Sequence, residues 1–110
     1  MKEQFFEQVV TETLEDVTNT LIKKAKEYRR EKNPFHNFEK GSIKSGIIRE
    51  KVLDGFLLKH LISVDDLTND LESGIIPSKE MIEEKFNDII CYYIIKKAMF
   101  LEHEKINLNN

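Results

Sequence analysis

The chain has 110 residues, 17 Lys plus Arg against 20 Asp plus Glu, and a net charge of −3, which bounds one domain, residues 1–110. Charged residues make up 34% of it, but the two signs alternate. That excludes a solvating acidic tail and the basic stripe of a duplex-DNA binder.

The single cysteine, Cys91, has no internal disulfide partner and no companion at zinc-ligand spacing, so an oxidising compartment finds no support. The N-terminal MKEQFFEQVV carries acids inside what would be a signal peptide's apolar stretch, and no run approaches a membrane span. The expected location is the cytoplasm. With 4 Gly, 2 Pro and no alternating apolar runs between turn pairs, the expected class is all-α.

Phe6, Val10, Leu14, Val17, Leu21 and Tyr28 recur at three- and four-residue steps and predict a first helix over 2–30, its stripe widened by Phe5, Val9 and Ala25. Asn33-Pro34 ends it, because proline biases the residue before it away from helix. A polar-aromatic loop follows, Asn33 to Phe38, and Glu39 to Ser45 form a helical turn stopping at Gly46. Ile48, Val52, Phe56, Leu57, Leu61 and Ile62 predict a middle helix over 47–64. Asp65-Asp66, Asn69-Asp70 and Ser73-Gly74 read as a short helical segment and then a connection to Pro77. Ser78 is the natural N-cap of a last helix over 79–104, with Glu80, Glu83 and Glu84 near its positive end and a tail from Asn107 that frays.

A helix of about 26 residues spans roughly 39 Å, whereas a compact chain of this length has a radius of gyration near 13 Å. Such helices bury their stripes best in an antiparallel bundle of three to four main helices completed by a second copy. The expectation is a homodimer; a monomeric bundle is the alternative.

Acids four apart, Glu12/Asp16, Glu50/Asp54 and Glu84/Asp88, share helical faces. The last pair is distinctive because it interrupts the row Met81, Tyr92, Ile95, Met99. Two carboxylates there need a hydrated cation, a lysine or a polar cavity, unless the row simply borders solvent near the helix start. On the middle helix Lys59, His60 and Ser63 offer a cation and two donors suited to a phosphate, or else a snorkelling lysine and a helix-end histidine. Lys24, Glu27, Tyr28 and Arg30 gather at the end of the first helix beside His36 and Asn37. Tyr28, Phe35 and Phe38 could stack a base whose edge Asn37 reads, or the aromatics could plug the bundle end. His36 lacks a second histidine at ligand spacing and reads as a hydrogen-bonding residue; Cys91, without a histidine to activate it, reads as a small buried residue.

Three segments, KAKEYRREKNPFHNFE (Lys24 to Glu39), GFLLKHLISVDDL (Gly55 to Leu67) and EEKFNDIICYYII (Glu83 to Ile95), occur in that order. Together they resemble the MazG-like, all-α nucleoside triphosphate pyrophosphohydrolases, particularly their phage nucleotide-modification-associated branch, from about Leu21 to Met99. Residue by residue the resemblance falls on Lys24, Glu27, Tyr28, Asn37, Phe38, Lys59, His60, Ser63, Asp66, Glu84 and Asp88. It implies Mg²⁺ on helix-borne carboxylates, bridging a triphosphate and activating water so that pyrophosphate is released. On that expectation Glu84, Asp88 and Glu27 are the catalytic, metal-holding acids, joined at the metal by Glu50 and Asp54. Lys24, Lys59, His60 and Ser63 hold phosphates, and Tyr28, Asn37 and Phe38 hold the base. The superfamily's Glu-Glu-x-x-Glu run is absent from the middle helix. Two further expectations follow: a nucleotide sink or sensor without catalysis, which could sequester a host signalling nucleotide, and a helical protein-interaction module.

Overall fold

The structure, a computed structural model, describes residues 2–24 and 33–109, the side chains of Lys24 and Asn109 excepted. It is all-helical, without a strand among the described residues. Helix α1 spans Lys2–Thr18 and continues as a wider π-helical stretch over Asn19–Lys24; α2 spans His36–Ser45, α3 Arg49–Glu72 and α4 Lys79–Asn109. Helix α3 packs on α4, α2 on α3, and α1 on the first half of α4. The part of the predicted first helix beyond Lys24 lies outside the described residues.

Local chemistry explains the joints. Asn33 Oδ1 accepts the Phe35 N–H at 2.9 Å, the Asn33 carbonyl accepts the His36 N–H at 3.2 Å, and Asn33 Nδ2 donates to Glu39 Oε1 at 2.7 Å. This side-chain-made turn launches α2 at His36, three residues earlier than the spacing predicts. The predicted stop is where the sequence puts it: Gly46 has φ 78°, and its N–H donates to Ser42 O at 2.9 Å.

The middle helix corrects the expectation. It runs without a break to Glu72, because Asp and Asn are weak helix formers and not breakers, and Leu57, Leu61, Val64, Leu67 and Leu71 carry the stripe through the acidic stretch. Termination waits for Gly74 at φ 83°, whose N–H donates to Leu71 O at 3.0 Å while that of Ile75 donates to Asp70 O at 2.8 Å. This pair of bonds is the Schellman arrangement. Ser78 caps α4 as its position predicts, accepting the Met81 N–H on Oγ at 3.2 Å. Helix α4 extends to Asn109, past the predicted end at Glu104.

The core lies where α2, α3 and the second half of α4 meet: Phe35, Phe38, Leu53, Leu57 and Met99, flanked by Val52, Ile89, Tyr92, Ile95 and Ala98. Helix α2 approaches α3 closely at Gly41, where a Cβ would stand 2.7 Å from Val52 Cγ1. Arg49 knots the same end together. Its guanidinium pairs with Glu39 of α2 at 3.0 Å, Glu50 of α3 at 3.3 Å and Glu102 of α4 at 3.0 Å, and lies 4.7 Å over the Phe35 ring. Helix α1 contributes little to any of this, since Val17 is its one buried residue among those described. The chain measures 51 × 29 × 28 Å, with a radius of gyration of 16.7 Å.

Candidate functional site

The interrupted row on α4 runs from solvent into the core: Met81 is exposed, Glu84 is exposed, Asp88 and Tyr92 are half-buried, and Met99 is fully buried. The two carboxylates therefore occupy the wet rim of an apolar seam, where water offsets their charge. On the facing helix α3, His60 stands opposite Asp88, with Nδ1 3.6 Å from Oδ2. The His60 ring also leans on Tyr92, centroids 5.1 Å apart at 39°. Lys59 projects from the exposed face of α3, and Ser63, one turn beyond His60, is half-buried.

Asp88 thus has two neighbourhoods. Toward α3 it meets His60; toward α1 it lines a hollow of about 320 Å³ with Asp16, Glu80, Glu83, Glu84 and Asn87. The hollow also includes Asn19 and Thr20 of the π-helical stretch. Helix periodicity explains the α4 side: positions 80, 83, 84, 87 and 88 fall on one face. So many carboxylates around one concavity give it a negative potential. Among the described residues, no three His, Cys, Asp or Glu side chains converge tightly enough to hold a metal ion.

Two of the five candidate metal acids are engaged elsewhere. Glu50 is buried and accepts from His103 Nε2 at 2.7 Å and Arg49 Nε at 3.3 Å. Burial pushes its carboxyl up, but a backbone N–H and the bonds from His103 and Arg49 outweigh that and hold it below the usual range. Asp54 accepts from Lys96 Nζ at 2.8 Å. Phe38 also differs from the base-stacking expectation: it is buried, edge-on to Phe56 and Tyr92 at centroid distances of 5.6 and 6.4 Å, and presents no open face. With Phe35 it plugs the bundle end. Asn37 is exposed on α2, His36 is half-buried at its start, and Asp66 is exposed on α3. Glu27 and Tyr28, and the Lys24 side chain, lie outside the described residues.

Near the seam, burial and then the Asp88 charge push both the Cys91 thiol and the Tyr92 phenol above their ordinary values. Cys91 is buried, as its sequence context predicts, and its raised pKa disfavours the nucleophilic thiolate.

Sequence reasoning missed Arg49 and His103 altogether. The bond from His103 to Glu50 spans 53 positions, and no periodicity ties a residue at the start of one helix to one near the end of another. It also missed that Asp16 joins the acids of α4, though the Glu12/Asp16 spacing was visible.

No family model matches the chain, and no curated protein or solved structure does. Among the described residues no helix is long and apolar enough to cross a membrane.

Proposed function

We propose that the protein binds a phosphorylated nucleotide at the α3–α4 seam and acts in the manner of a (deoxy)nucleoside triphosphate pyrophosphohydrolase, as a homodimer in the cytoplasm. One observation carries the reading: His60 of α3 faces Asp88 of α4 at 3.6 Å, so the basic row and the acidic row share one rim. Glu84 and Asp88 would take Mg²⁺, which when bound orients phosphate oxygens and lowers the pKa of a water molecule. His60 offers a ring nitrogen at the seam, Lys59 a mobile cation beside it, and Ser63 a hydroxyl one turn away; these hold phosphate oxygens. Incubation with each nucleoside triphosphate and Mg²⁺ tests this. Pyrophosphate release that Asp88→Asn abolishes supports it; release from none of them overturns the enzymatic part.

Two observations favour non-enzymatic readings. Glu50 and Asp54 already pair with Arg49 and Lys96, which leaves a smaller acid set and favours binding without cleavage. Calorimetry with recovery of intact ligand identifies that case. The many exposed apolar side chains favour a helical interaction module, for which no nucleotide gives heat.

A further inference from the structure

We infer that α1 is the dimerisation element, and that a second copy of this chain lies on its Phe6, Val10 and Leu14 stripe and in the neighbouring groove between α1 and α4. This rests on the two-copy bundle and is independent of the nucleotide.

The first observation is area. The chain exposes 8872 Å², whereas a compact monomer of 13.0 kDa exposes roughly 6,300 Å². The excess, about 2,500 Å² per chain, matches the upper end of what each subunit of a permanent homodimer covers. Part of the exposed apolar surface sits on α1, where Phe5, Phe6, Val9, Val10 and Leu14 are all more than a third exposed, Phe6 at 66%.

The second observation is the helix itself. Helix α1 has 17 residues, six of them Val or Thr, and one buried side chain. An isolated helix of that length and composition is marginal in water, and its stability must come from packing an apolar face. One copy supplies too little. On one side α1 and α4 leave a groove of about 570 Å³, floored by Phe5, Val9, Ile82, Phe86 and Ile90. On the adjacent side Phe6, Val10 and Leu14 repeat every four residues toward solvent. A symmetric pair covers the same patch on both subunits, so one contact region closes both faces.

Sedimentation and circular dichroism over a dilution series test the assignment. Wild type is expected to sediment at twice the chain mass and to lose helicity on dilution as α1 is released. The double variant Phe6→Glu/Leu14→Glu is expected to halve the mass while keeping the α3–α4 helical signal, and Phe100→Glu, an exposed apolar site on the far half of α4, to stay dimeric. A monomeric wild type at sub-millimolar concentration overturns the dimer and its face together. A double variant that remains dimeric overturns the face alone.

Discussion

His60 Nδ1 stands 3.6 Å from Asp88 Oδ2, and this approach brings the basic row of α3 to the acidic row of α4. Behind the pair lies Tyr92, touched by the His60 ring and raised in pKa by burial and by the Asp88 charge. The hydroxyl of Tyr92 therefore reports on Asp88. Neutralising the acid with Asp88→Asn is expected to lower the Tyr92 pKa while leaving it above the ordinary value, because burial, the larger cause, persists. Ultraviolet titration of the variant against its Tyr92→Phe derivative measures the shift; an unchanged Tyr92 contradicts the electrostatic contact.

Glu50 makes the far end of the α3–α4 contact pH-sensitive. Its folded pKa lies below the unfolded value, so its contribution is fully present above the ordinary carboxylate range and is lost as pH falls through the folded pKa. With a nearly buried side chain bonded to Arg49 and His103, Glu50→Gln is expected to cost about 2 kcal/mol at neutral pH. The gap to wild type then closes as the pH drops below about 4. Denaturant melts across pH check this. A cost that does not depend on pH would assign the effect to packing.

Gly41 is expected to resist replacement although it lies inside a helix. Alanine gains up to about 1 kcal/mol of helix propensity, but its Cβ meets Val52 Cγ1 at 2.7 Å, and a β-branched side chain has little freedom to yield. Overpacking of about 1–3 kcal/mol wins, so Gly41→Ala lowers the melting temperature. A rise would mean that α2 lifts from α3 at little cost.

Cys91 is expected to react slowly with a thiol reagent in the native protein and rapidly once unfolded, since burial and the Asp88 charge disfavour the thiolate. Rates over a denaturant series check it; a fast native reaction would place the sulfur at the surface.

Much of the architecture was legible because stops and caps are local chemistry. Gly46 and Ser78 act within a few residues of themselves, and the structure uses both; Asn33 makes the turn that launches α2, while the expected end of the first helix lies outside the described residues. The misread segment was Asp65 to Glu72, where weak propensities stood in for a break that only Ser73-Gly74 provides. The core was partly legible: Met99 closes the predicted row, while Leu53, wholly buried, lay just off the predicted stripe. At the candidate site, the meeting of His60 and Asp88 was expected from the resemblance alone, which puts both at one triphosphate. The capture of Glu50 by His103 was not, because it depends on the crossing of two helices rather than on the spacing within either.

The most direct test of the α3–α4 seam is the ring resonance of His60, assigned with His60→Gln, followed while nucleoside triphosphates and Mg²⁺ are added. The account predicts saturable displacement of the His60 signal by at least one nucleotide, weakened in Asp88→Asn, with the His103 signal unmoved. A His60 resonance indifferent to every nucleotide would contradict it.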